Sequence, residues 1–267
     1  MVDAVVLAAG YGSRLSIDNL PKPLTPLDGA PLIEWVLGAL ENQNDPIRHV
    51  VVVTGHRCKE LISHLAVIQE NYEFEIVPVI NHQFWRGNGS SLCAAERYIG
   101  AGPFLLLMGD HIVEPAIIEA ALCSRNRDNA DVALCIDRTP LFSNREHDLP
   151  TKVFQDDNSR IIDIGKRIRR WNCIDTGIFL MRRNIFNSLY SLGMEKLTVT
   201  AGVKNLIHTR KPVIGVDVSG MFWSDVDTPY DLTCTEAALR ESVWEDFLPS
   251  YREEEAVLEE EIVLEED

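Results

Sequence analysis

At 267 residues, 46% of them hydrophobic, the chain has enough length and apolar content for one large domain, or one domain with an appendage. Its formal net charge of −16 excludes general affinity for nucleic acid. No apolar run approaches the roughly 20 residues of a membrane span, and the opening Met1-Val2-Asp3 has neither the charged nor the apolar region of a secretory leader.

Residues 4–9 form an apolar run of the length of one buried strand. The run ends in Gly10, Gly12 and Ser13, a loop with almost no side-chain bulk, so backbone N–H groups can turn towards an anion. Two cations follow: Arg14 in the loop, and Lys22 between Pro21 and Pro23, which predict an extended backbone there. A strand end, a bare loop and two aimed cations describe a polyphosphate cradle. It is not a Walker A loop, because it closes Gly12-Ser13-Arg14. Nor is it a dinucleotide fingerprint, because Leu15 stands where a third small residue is needed.

The stretch resembles the signature of the nucleotidyltransferases that activate sugar and polyol phosphates, LAAGxGxRL followed by PKPL. The resemblance implies an α/β, Rossmann-like domain with a mixed, mostly parallel central sheet flanked by helices. It implies an enzyme that joins an NTP to a phosphorylated alcohol and releases pyrophosphate. It also implies a nucleotide lying against Leu7, Ala8, Ala9, Gly10, Gly12, Ser13, Arg14 and Lys22, with Gly55 at the next strand end.

Helical spacing follows over 31–42, opened by Pro31, and over 59–69; strands are predicted over 49–54, 75–80 and 104–108. Apolar strands alternating with helices mean a sheet covered on both faces, with ligands beyond the carboxyl ends of the strands. Those ends are Gly10, Gly55, Asn81 and Asp110, which makes one rim. A helix is predicted from Ser90, with Asn88 and Ser90 able to cap it. Asn81, Phe84, Asn88 and Ser91 also fit N-x-x-[YF]-x-x-x-N-x-x-S, similar to cytidylyltransferases acting on phosphocholine and inositol phosphate. That likeness assigns Asn81, Asn88 and Ser91 to the nucleotide, alongside any capping role.

Asp110 directly follows the fourth strand, the place for a magnesium ligand facing phosphates, and it stands too early to cap the next helix. His111 resembles the inositol-phosphate branch, and fits a satisfied loop histidine equally well. A fifth strand covers 131–136. Residues 140–150 are polar and irregular, the composition of a lid over the rim. Strands 152–155 and 160–164 flank Asp156-Asp157-Asn158-Ser159 as a hairpin. The family resemblance gives the acceptor phosphate to Lys166. It gives acceptor hydroxyls to Asp175, for which a plain turn role is an equal reading. Helices are predicted over 183–191, 198–208 and 229–240, the last capped by Thr228 or Asp227, with a strand over 212–218. Within Phe222-Trp223-Ser224-Asp225-Val226-Asp227-Thr228, the resemblance makes Asp227 the second magnesium ligand and leaves Asp225 structural.

Residues 252–267 carry nine carboxylates against Arg252, half the net charge, so a polyanionic substrate must be captured by local cations and metal. A catalytic domain over 1–249 and an acidic tail over 250–267 are expected, the tail a linker, a homodimer contact or disorder. Some members of the family are fused there to a membrane-embedded alcohol phosphotransferase, making such a protein a candidate partner. Six scattered cysteines without a CxxC pair predict free thiols in the cytoplasm.

The combined expectation is cytidylyl transfer from CTP to L-myo-inositol 1-phosphate or a similar polyol phosphate. Choline phosphate, which would need an aromatic box from Trp85, Trp171 and Trp223, and hexose 1-phosphate are the alternatives in the same class. A non-catalytic nucleotide-sensing subunit is the alternative from another class; retention of Arg14, Lys22, Asp110 and Asp227 weighs against it.

Overall fold

The computed structural model describes residues 1–15, 20–41, 43–139, 150–193 and 197–241. Of the predicted lid over 140–150, residues 140–149 lie outside them, as does the acidic tail. Along the chain run β1 (Val2–Ala8), β2 (Pro26–Leu27), β3 (Ala30–Pro31), α1 (Leu32–Glu41), β4 (Ile47–Thr54), α2 (Cys58–Ile68), β5 (Glu75–Ile80) and α3 (Asn88–Ala95). Next come β6 (Phe104–Met108), β7 (His111–Val113), α4 (Pro115–Cys123), β8 (Val132–Asp137), β9 (Lys152–Gln155) and β10 (Ile161–Gly165). The chain continues through β11 (Cys173–Met181), α5 (Asn184–Ser191), α6 (Val199–His208), β12 (Val213–Asp217), β13 (Trp223–Asp225) and α7 (Pro229–Glu241).

Nine strands form the central sheet, in the order β10-β9-β11-β6-β1-β4-β5, with β8 joining β11 to β12. The nucleotide half, β6-β1-β4-β5, is wholly parallel, whereas β11 runs antiparallel to β6, β8 and β9. All seven residues of β1 are buried. Ala4, Val6 and Ala8 pack with α1, α2 and α4; Val5 and Leu7 pack with α3, α5 and α6 on the other face. A third cluster joins Leu15, Leu32, Ile112, Val226 and Leu239, anchoring the glycine loop to α7.

Three local expectations are corrected. Lys22–Leu24 is a 3-10 turn, not an extended segment: the flanking Pro21 and Thr25 are extended, and Thr25 N–H closes the turn on the Lys22 carbonyl at 3.0 Å. Pro23 fits because its fixed φ suits either conformation. Pro31 belongs to β3, one residue before α1. Helix α3 has no side-chain N-cap. Asn88 Oδ1 instead accepts the backbone N–H of Val199 at 3.0 Å, capping the start of α6 across the molecule. No helix among the described residues is long and apolar enough to cross a membrane, and all six cysteines are free.

Candidate active site

The glycine loop and Lys22 are built as one piece. Gly12 has φ +60°, and a Cβ there would lie 2.4 Å from Lys22 Cβ, so only glycine lets the loop pass over the lysine stem. Lys22 is thereby buried. Its ammonium donates to Asp110 Oδ2 and, at 2.7 Å, to Asp227 Oδ1. Arg14 Nη2 donates to the other oxygen of Asp227 at 2.7 Å. Burial opposes the lysine charge, but Asp110, Asp227 and Asp225 outweigh it and raise its pKa.

Asp110 and Asp227 meet because β7 pairs antiparallel with β13, setting Asp225 opposite His111. Val226 N–H donates to the Asp110 carbonyl at 2.9 Å and extends the pairing. Thr228 caps α7 with Asp231: its Oγ1 accepts Asp231 N–H at 3.3 Å, while Asp231 Oδ2 accepts the N–H groups of Asp227 and Thr228. The Asp227 carboxylate is thus left to the site.

His111 Nδ1 lies 2.8 Å from the Thr176 carbonyl, which can only accept, so that nitrogen carries a proton. Nε2 then faces Asp225 Oδ1 at 3.6 Å and Asp110 Oδ1 at 3.9 Å. Gly177, at φ +83°, makes room for the ring: a Cβ would stand 2.3 Å from Nδ1. Burial disfavours the imidazolium, but Asp225 and Asp110 raise its pKa overall. Burial pushes the Asp175 carboxyl up to about 6, against the Gly177 N–H that it accepts at 2.7 Å.

Two cavities meet at these groups. One, of about 300 Å³, is lined by Leu7, Ala8, Gly10, Gly12, Ser13 and Lys22. The other, of about 290 Å³, is lined by Asn88, Lys166, Asp175, Asp137, His111, Asp225 and Trp223. Arg14, Asp110 and Asp227 belong to both. Ala9, Gly55, Asn81 and Ser91 line neither. Asn81 donates to Ser90 and Ser91 Oγ, each at 3.0 Å, and accepts Gln83 N–H, so it knits the loop to α3.

Among the described residues, the group with metal-ligand spacing is Asp110, His111 and Asp225, whose ligand atoms lie within 4.8 Å of one another. Asp227 reaches Asp110 through Lys22 instead. Asp225 and His111 were the residues that motif reading undervalued. The available signal was period two: in an extended segment Asp225 and Asp227 share a face. The three tryptophans do not pool their rings. Trp85 meets Phe84, Trp171 lies under Lys152, and Trp223 stacks beside His111 while donating to Asp137 at 2.9 Å.

Comparison with known proteins agrees with this architecture. The pattern of the MobA-like NTP transferase domain matches residues 4–206. A bifunctional IPC transferase and DIPP synthase of Rubrobacter xylanophilus is 31% identical over 241 residues, 88% of this chain and 51% of that protein. The bifunctional protein GlmU of Methanococcus vannielii is 29% identical over 86% of this chain and 53% of its own length. This chain therefore spans about half the length of these relatives. The solved inositol-1-phosphate CTP transferase from T. maritima shares the fold, with a TM-score of 0.78 at 24% identity over 92% of this chain and 97% of that one. With the domain pattern matched over most of its length, the chain belongs to the MobA-like NTP transferase family.

Proposed function

We propose that the protein transfers a cytidylyl group from CTP to L-myo-inositol 1-phosphate, or a closely similar polyol phosphate, releasing pyrophosphate in the cytoplasm. The observation that carries this reading is the junction of the two cavities at Arg14, Asp110 and Asp227. One side offers a glycine-rich loop and cations, suited to a triphosphate. The other combines Lys166 with several carboxylates, suited to a phosphate attached to many hydroxyls. The relatives named IPC transferase favour inositol phosphate among such acceptors. A membrane alcohol phosphotransferase, fused or separate, would consume the product.

In this mechanism the backbone of Gly10–Ser13 and Arg14 hold the β- and γ-phosphates, Lys22 reaches the α-phosphate, and Lys166 holds the acceptor phosphate. An acceptor phosphate oxygen attacks the α-phosphorus in line, and the bond to the β-phosphate oxygen breaks as pyrophosphate leaves. The nucleophile is already anionic, so positioning and charge neutralisation supply the catalysis. Asp110 and Asp227 fit magnesium by chemistry, as hard oxygen donors drawn to one point by a shared cation. When bound, magnesium would neutralise charge developing on the transferred phosphate.

A pyrophosphate-release screen of four NTPs against phosphorylated alcohols tests the reading. CTP with inositol 1-phosphate is expected to be fastest; clear preference for UTP or dTTP with a hexose 1-phosphate overturns it.

A further inference from the structure

The two carboxylates suited to a divalent cation hold a cation of the protein itself. Lys22 Nζ bridges Asp110 Oδ2 and Asp227 Oδ1, and Arg14 takes the remaining oxygen of Asp227. The lysine stem is fixed: it is buried under Gly12, and its backbone is closed by the turn to Thr25. Only the terminal ammonium can swing. An ammonium and a divalent cation within 3 Å of the same oxygens repel strongly, so the two are alternative occupants. A displaced Lys22 needs another anion, because a buried, unpaired ammonium is costly. Among the described residues, the lining of the cavity on its side carries no carboxylate besides Asp110 and Asp227, and Asp225 faces His111 at 3.6 Å. A triphosphate in that cavity brings the replacement anion with it.

We propose that Lys22 is a latch on the metal site, so that the protein excludes free divalent cations and takes up the metal–triphosphate chelate as one ligand. The triphosphate supplies the anion onto which Lys22 and Arg14 transfer, and the vacated carboxylates receive the metal in the same event. This rests in part on the nucleotide reading above. It adds an order of events: metal does not precede nucleotide.

The test is Mn²⁺ binding by the full chain, followed by the electron paramagnetic resonance of free Mn²⁺, with no nucleotide added. Wild type is expected to bind weakly. Lys22→Met, which keeps the stem and removes the charge, is expected to bind at least about tenfold more tightly. Lys22→Arg should stay weak, and Lys22→Met/Asp227→Asn should lose the gain, which places the ion on these carboxylates. Thermal melting of the wild-type chain gives a second readout: Mn²⁺ alone should leave Tm unchanged, and Mn²⁺ with α,β-methylene CTP should raise it. A folded Lys22→Met protein that binds Mn²⁺ no better than wild type overturns the latch. Tight binding of Mn²⁺ alone by wild type also overturns it, and needs no variant to fold. Failure of the CTP reading looks different: the analogue shifts nothing while the gain in Lys22→Met persists.

Discussion

Asp227→Asn separates chemistry from stability. The change keeps side-chain volume and removes one charge from a carboxylate whose two oxygens accept from Lys22 and Arg14, each at 2.7 Å. The Arg14 side chain is 52% exposed, so that ion pair contributes at most about 1 kcal/mol. Lys22 keeps its bond to Asp110, and Asp225 loses a repulsive neighbour, since the Asp227 charge helps burial to raise its pKa. The stability loss is therefore expected to stay within about 2 kcal/mol, a fall in Tm of at most about 8 °C for a domain of this size. The transition state should lose more. One missing electrostatic contact at a reacting centre commonly costs about 10²–10³ in kcat, or 2.7–4 kcal/mol. Asp225→Asn, which alters a group facing the His111 ring at 3.6 Å, should be at least about tenfold milder. The double change Asp110→Asn/Asp227→Asn should fall well short of the product of the singles, because both act through one cation position. Magnesium-dependent pyrophosphate release by wild type, the three single variants and the double variant, with parallel melts, provides the measurement. A folded Asp227→Asn protein with turnover within threefold of wild type would remove Asp227 from the site and defeat the mechanism.

Lys166→Ala should raise KM for the acceptor more than for CTP, since Lys166 lines only the cavity assigned to the acceptor; equal effects on both would place it on the triphosphate or in the fold. Gly177→Ala should lower Tm by about 5–10 °C, from about 1–2 kcal/mol of left-handed strain and about 1 kcal/mol for the His111–Thr176 bond; an unchanged melt would show that the ring has another seat. Asp175 has a folded pKa of about 6 against an ordinary 3.8. Its folded form holds the proton more tightly, so its stabilisation is full below the unfolded value and is lost as pH rises through about 6. The Tm of Asp175→Asn relative to wild type should therefore rise between pH 4 and 7, and a flat difference would refute the buried-carboxyl reading.

Parts of this site follow from local sequence and parts do not, for physical reasons that differ residue by residue. The parallel strands were legible because burial on both faces demands continuous apolar runs, as in residues 2–8 and 104–108. Their carboxyl ends then had to share a rim, so Asp110 and the glycine loop could be placed together. The 152–165 hairpin was legible from its Asp-Asp-Asn-Ser turn, in which Asp156 Oδ1 accepts the N–H groups of Asn158 and Arg160. The Lys22 backbone was not, because a proline fixes φ near −65° and leaves ψ to decide between extended chain and 3-10 turn. The 3-10 turn is closed by Thr25 N–H on the Lys22 carbonyl, and Gly12, ten residues earlier, lies against the lysine stem.

The pairing of β7 with β13 was hidden for a stronger reason. Each strand has three residues, too short for periodicity to show, and their partners lie far apart in sequence. Yet that ladder decides which aspartate faces which group. Register sets Asp225 against His111, and the turn after it carries Asp227 to Lys22. A shift of one residue would exchange these faces, presenting Val226 where a carboxylate is needed. The Glu114 carboxylate accepts Phe222 N–H at 3.0 Å and the Asp110 carbonyl accepts Val226 N–H at 2.9 Å, so both ends of the ladder are pinned. The local motif thus supplies the cations, and a nonlocal register, pinned at both ends, determines which carboxylates they meet.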